Sequence, residues 1–323
     1  MTLEKAFAGE KMNVIMRTQS LLSFAAAVAF AVGSAAVAQA PAADPFPATN
    51  PKYFDAATPT ADDVNAFLKA IWGYDTNRSW KVMAIQKTPA PGVSKITIFV
   101  ADKSQGNKVD SVRFFVTPDG KYAIADTVFR FGARPFEDNA KVLAAEANGP
   151  ATGAADKKIL FVEFADLECP HCKEAEPTME QLQKDFPQAR FVYQNYPLVE
   201  IHPFAYKSAA TGNCVAQAKG DAAFFTYIKD VFAHQEGLTD AMADTTIANA
   251  VKAAGADPAA MATCAASPAA KTKLDGQIEL ATKLGVDQTP MLAVNGHLMP
   301  LGGVPYETLK QVIDWDLKQE GLK

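Results

Sequence analysis

The sequence predicts an α/β protein: a sheet with helices on both faces, split by a helical insertion and preceded by a small α+β domain. Three observations carry this. Residues 159–164 are a continuous apolar run broken only by Glu163, and the run ends in a short loop that opens into a helix. Residues 202–284 are almost wholly helical in pattern, while strand patterns return at 291–294 and 297–300. In the front half, short alternating runs are punctuated by turn residues, with a single helix ahead of them.

The elements follow in order. Residues 21–38 carry no charge, are rich in Leu, Ala, Val and Phe, follow Arg17, and close on Ala36-Val37-Ala38. This is the pattern of a secretory signal peptide, residues 1–38, with a small-residue cleavage site. The alternative, an uncleaved anchor, needs about 20 apolar residues, for which the segment is marginal. Met12 and Met16 are alternative starts. Removal of 1–38 takes away three basic and two acidic residues, moving the net charge from −5 to −6. That balance argues against nucleic acid or an anionic membrane as the main partner. The expected location is the bacterial periplasm or the cell exterior, where disulfides persist.

Residues 39–58, rich in Pro, Ala, Asp and Asn, read as a disordered lead. A folded domain over 59–134 begins with a helix capped by Thr60 and Asp63, whose apolar stripe is Val64, Phe67, Leu68 and Ile71. Strands are expected at 80–85, 96–100, 112–116 and 122–125, the last two joined by the turn Thr117-Pro118-Asp119-Gly120. Residues 135–156 read as a linker helix (136–147) and a flexible Gly/Pro junction. The second domain spans 157–323: strands at 159–164 and 190–194, the insertion at about 202–284, a hairpin, and a last helix over 305–317.

The chemistry is concentrated in Cys169-Pro170-His171-Cys172. Cys169 stands at a helix N-terminus, where unpaired N–H groups and the helix dipole favour negative charge. Pro170 suits the first helical position. Thiol pKa values in such places fall to roughly 3.5–7.5, and the thiolate is the attacking species. His171 adds positive charge or a hydrogen bond close to the sulfur. Cys172, one turn inward, is then the resolving thiol. Glu163 shares a face with Ile159 and Phe161 in a buried strand, so its pKa should rise, suiting it to move a proton for Cys172. The alternative is an edge-facing or salt-bridged glutamate. Glu168 is expected to be solvated. A zinc site lacks two further ligands at matching spacing, and a c-type haem site needs His where Lys173 stands. A purely structural bridge across two residues would constrain the unfolded chain little. The pattern therefore reads as a redox dithiol that needs no cofactor and no metal. His202 is expected to pack or cap at the start of the insertion, His234 to lie on a helix surface, and His297 to be exposed after the Asn295-Gly296 turn. Phe224, Phe225, Tyr227 and Phe232 read as helix core.

From about Lys157 onward the chain resembles the DsbA family of exported thioredoxin-fold disulfide oxidoreductases. The resemblance rests on the intact Cys169-Pro170-His171-Cys172 motif, the acid at Glu163, Pro177, and Thr289-Pro290 ahead of the strand Met291-Leu292-Ala293-Val294. It implies a thioredoxin fold and a cis peptide bond before Pro290. It also implies that the Thr289 backbone pairs with a substrate segment, and that Cys214 and Cys264 form a structural disulfide; two buried free thiols are the alternative. The front domain, through residues 85–93 and 117–122, resembles the dimerisation domain of the DsbC and DsbG isomerases, which implies a homodimer. The implied partners are exported substrate proteins and a redox partner protein, membrane-bound or soluble. Three functions remain open here: an oxidase that donates disulfides, a dimeric isomerase or reductase, and a substrate-holding module whose dithiol is secondary.

Overall fold

A computed structural model describes residues 44–125 and 128–322. The expected signal peptide lies outside the described residues. The chain divides into two compact units, with the boundary between Ala133 and Arg134.

In the first unit, helix α1 (Ala61–Trp72) opens with the expected capping box: Asp63 N–H donates to Thr60 Oγ1, and the Thr60 backbone N–H donates to the Asp63 carboxylate. Its stripe of Val64, Phe67, Leu68 and Ile71 is buried, and Phe67 meets Phe114 and Phe131 of the sheet region at ring distances of 5.8 and 5.1 Å. Strands β1 (Arg78–Lys87), β2 (Ser94–Asp102), β3 (Lys108–Val116), β4 (Tyr122–Ile124) and β5 (Val128–Arg130) form one antiparallel meander in chain order. The fifth strand was not legible in the sequence because it is only three residues long and, unlike the equally short β4, no clear turn signal such as Thr117-Pro118-Asp119-Gly120 announces it. The lead also needs correction. Residues 51–58 are pinned to β1: Phe54 bridges Ile85, the Ala56 N–H donates to the Ile85 carbonyl, and Asp55 accepts from Lys87 N–H. Backbone pairing on an open sheet edge outweighs a composition that argues for disorder.

The second unit is a five-stranded mixed sheet in the order β10-β9-β7-β8-β6, where β6 is Ala151–Gly153, β7 Leu160–Ala165, β8 Arg190–Asn195, β9 Met291–Val294 and β10 His297–Pro300. Strand β7 is central, parallel to β8 and antiparallel to β9. All six of its residues are buried, as expected for a strand covered on both faces. Helices α2 (Glu137–Glu146) and α8 (Pro268–Lys283) cover one face through Leu143, Leu280 and Ala281 on Leu160, Val162 and Phe164. Helices α3 (Pro170–Asp185) and α9 (Tyr306–Gln319) cover the other, placing Met179, Leu182, Leu309 and Ile313 over Phe161 and Phe191. The insertion between β8 and β9 is helical throughout: α4 (Ala205–Lys219), α5 (Asp221–Ala233), α6 (Ala243–Ala253), α7 (Pro258–Ala265) and α8. Phe224, Tyr227 and Phe232 lie in its core.

Two boundaries move. The expected linker helix is α2, and its fully buried Leu143 makes it part of the second unit. The expected flexible junction contains β6, which pairs antiparallel with β8 at the sheet edge. Cys214 and Cys264 are joined in a disulfide, with Cα atoms 6.0 Å apart, tying α4 to α7.

Candidate functional site

Both cysteines of the dithiol are free and buried, Cys169 with 4 % of its surface exposed and Cys172 with none. Cys169 is the N-cap of α3, and Pro170 occupies the first helical position. Hydrogen bonding with Cys172, then Thr289 and the backbone N–H groups of Cys172 and His171, outweighs partial burial and lowers the Cys169 pKa to about 5. Cys172 behaves in the opposite way: burial first, then the neighbouring Cys169, push its thiol far above the ordinary range. One sulfur is thus held as a ready anion at neutral pH, and the other as a thiol that leaves or attacks only when its proton is managed.

Strand β9 runs antiparallel to β7, with Met291 opposite Phe164, and this register brings the residues just before it to the dithiol. The Thr289–Pro290 bond is cis, and the Thr289 carbonyl oxygen lies 3.7 Å from Cys169 Sγ. A cleft of about 560 Å³ adjoins this point, lined by His171, Glu174, Thr178, residues 288–290 and residues 300–304.

Glu163 sits on β7 with 5 % of its surface exposed, and its Oε1 has no hydrogen-bond partner among the described residues. Burial, then the charge of Glu176, raise its pKa well above the usual carboxylate value. Its cross-strand neighbour Tyr193 is also buried, and the Tyr193 hydroxyl likewise lacks a partner among the described residues. Glu176, one turn beyond Cys172 on α3, is pushed up to about 7, by burial first and then by Glu180, with Lys229 opposing.

Several expected placements change. The His171 ring is exposed and bonded to Glu174 through Nδ1 at 3.0 Å, so it meets the sulfur by charge and by its backbone N–H rather than by a ring hydrogen bond; Glu174 first, and then the Cys169 charge, raise its pKa. Glu168 is not simply solvated: its carboxylate accepts from the Phe204 N–H at 2.7 Å, and burial raises its pKa. His297 is not exposed but largely covered, bonded to Asp316 at 2.6 Å and stacked on Phe136 at 3.8 Å. His202 is not merely a packing residue, because its Nδ1 lies 2.8 Å from the fully buried Asp166 carboxylate. Asp166 and Gln235 carried no motif in the sequence. Yet Gln235 Nε2 donates to the Leu167 and Cys169 carbonyls at 2.9 and 3.0 Å, and the Asp166 N–H donates to Cys172 Sγ at 3.3 Å.

A paired strand order around a central parallel strand, with a dithiol at the N-terminus of the following helix and a cis-proline beside it, defines a thioredoxin-like fold. Residues 145–315 match the family described as Thioredoxin, more than half the chain, and the chain belongs to that family. Among solved structures it is similar to the catalytic domain of Proteus mirabilis ScsC, with 23 % identity, 56 % of this chain and 96 % of that chain covered, and a TM-score of 0.47. BdbD from Bacillus subtilis gives 19 % identity, 53 % and 93 % coverage and a TM-score of 0.47. The thiol-disulfide exchange protein alpha-DsbA2 from Wolbachia pipientis gives 19 %, 55 %, 95 % and 0.47. A shorter stretch of 89 residues is 34 % identical to the Na(+)/H(+) antiporter NhaA 3 of Salinispora tropica, covering 28 % of this chain. The chain spans only 13 % of that relative's length.

Proposed function

We propose that the protein is an exported thiol–disulfide oxidoreductase that donates the Cys169–Cys172 disulfide to secreted substrate proteins. The observation that carries this is the asymmetry of the pair at the start of α3: the Cys169 pKa is depressed to about 5, and that of the more deeply buried Cys172 is pushed far above its ordinary range. Stabilising the reduced form through a thiolate makes the corresponding disulfide more oxidising. In the forward direction a substrate thiolate attacks Cys169 Sγ, the Cys169–Cys172 bond breaks, and Cys172 leaves with the electron pair. Glu163, protonated through its burial, supplies the proton that Cys172 needs. A second substrate thiolate then attacks the substrate sulfur of the mixed disulfide and releases Cys169 as thiolate. The substrate loses two electrons and the dithiol gains them. Thr289 offers its backbone to the substrate segment beside Cys169, and a redox partner protein restores the disulfide. Export rests on the signal-peptide pattern of residues 1–38.

A second reading, a dimeric isomerase or reductase, is favoured by the first unit. Phe115, Tyr122 and Ile124 are exposed on one face of its sheet, with Phe115 directly opposite Ile124, a surface suited to pairing with a second copy. The test combines the redox equilibrium of the dithiol with the solution mass of the full chain. An oxidising monomer supports the oxidase, and a dimer that rescues scrambled substrates supports the isomerase. Unchanged activity on both substrate types after Cys169→Ser would remove either reading.

A further inference from the structure

Asp166 is joined to both cysteines by its backbone and to the helical insertion by its side chain. Its N–H donates to Cys172 Sγ at 3.3 Å, and its carbonyl accepts from the Cys169 N–H at 3.2 Å. Its carboxylate, with no exposed surface, takes three donors: Glu168 N–H at 2.7 Å on one oxygen, and Leu198 N–H and His202 Nδ1 on the other, both at 2.8 Å. A carboxylate offers only acceptors, so Nδ1 is the protonated nitrogen of His202. Glu168, the other carboxylate at this place, is itself turned to the Phe204 N–H. The segment so held, residues 198–204, carries Val199 and Ile201, which are 50 % and 68 % exposed. They stand out among the large apolar side chains of the second unit, the rest of which, Met242 excepted, are covered among the described residues.

We propose that Asp166 and His202 are a positioning pair for the dithiol, coupling its redox state to the docking of the 198–204 loop. The bonds from Asp166 to the two cysteines are made with both sulfurs free. Closing the two sulfurs to the roughly 2.05 Å of a disulfide draws Cys172 Sγ toward Cys169, and on this proposal its bond from the Asp166 N–H weakens. Anchoring Asp166 from the insertion side therefore favours the dithiol and makes the disulfide a stronger oxidant. Coupling is reciprocal, so oxidation loosens the loop by the same factor. The Leu198 N–H, bonded directly to Asp166, reports on that step. This inference rests on the proposed exchange activity of Cys169 and Cys172.

The experiment is the equilibrium of the full chain with glutathione, in which the protein disulfide and two glutathiones give the dithiol and oxidised glutathione. Replacing His202 by Phe removes the donor and keeps a ring; the constant for reduction should fall by on the order of fivefold or more, the lower end of ordinary coupling. His202→Asn, whose amide N–H can stand in for Nδ1, should recover most of that loss. In the wild type, Leu198 amide exchange should be faster in the disulfide than in the dithiol form, and in His202→Phe the two forms should exchange alike. A folded His202→Phe chain with an unchanged constant overturns the proposal. If that variant does not fold, equal Leu198 exchange in oxidised and reduced wild type overturns it. A wild-type chain that does not exchange with glutathione sinks the oxidoreductase reading instead, and chemically oxidised protein still allows the Leu198 comparison to decide the coupling.

Discussion

Replacing Glu163 by Gln is the most informative single change outside the cysteines. The side chain is buried in the middle of β7, Oε1 has no partner among the described residues, and its pKa is raised first by burial and then by Glu176. The unfolded chain ionises this group near pH 4.3. Below that pH both states hold the proton and nothing is lost. Above it the unfolded state releases the proton while the folded state keeps it, so stability falls as pH rises, until the folded pKa is passed. Each pH unit in that window costs the folded wild type about 1.4 kcal/mol. Glutamine carries no such penalty and preserves the volume. The difference between variant and wild type should therefore grow in favour of the variant from about pH 4.3 upward, at close to that slope. Urea unfolding of the reduced chain, followed by circular dichroism across a pH series, measures it, and taking the difference cancels the contribution of Cys169. A stability difference that does not change with pH would refute the account of Glu163 as a buried, protonated acid. The same variant should form the mixed disulfide with a substrate thiol on the order of a hundredfold more slowly, the usual range for a lost proton donor to the departing Cys172.

Other outcomes follow from packing and covalent structure. Changing Cys214 and Cys264 together to Ser should cost about 4 kcal/mol of unfolding free energy, measured by denaturant titration, because the bridge closes a loop of 50 residues. The exchange activity of the Cys169 site should survive in the folded fraction. Gly149→Ala should destabilise the second unit by about 1–3 kcal/mol in thermal unfolding, because a Cβ there overlaps the Tyr193 carbonyl oxygen. Breaking the exposed His171–Glu174 pair with Glu174→Gln should lower the His171 pKa, read by nuclear magnetic resonance, and should leave the thermal midpoint essentially unmoved, because solvent screens an exposed pair.

Much of the second unit was legible because its signals are local. The buried run of β7, the Pro170 start of α3 and the Asn295-Gly296 hairpin each declare themselves within a few residues, and β9 and β10 fall where the pattern placed them. Glu163 could be placed by alternation alone, since Leu160, Val162 and Phe164 face one way and Phe161 the other. What escaped is non-local. Asp166 gains its meaning only from a histidine 36 residues later, and Gln235 reaches the Cys169 carbonyl from 66 residues away. The strand β6 is three residues long and rich in small side chains, so its pairing with β8 is decided by the sheet edge rather than by propensity. The lead of residues 51–58 misled for the same reason: its composition is that of a loop, and its order comes from β1.

The central claim is that Cys169 is an activated thiolate. The most direct measurement is a titration of thiolate absorbance in the reduced full chain, with Cys169→Ser as the reference that isolates this sulfur. The account predicts a midpoint near pH 5 for Cys169 and no ionisation of Cys172 within the accessible range. A midpoint in the ordinary thiol range, about 8.5, would contradict it.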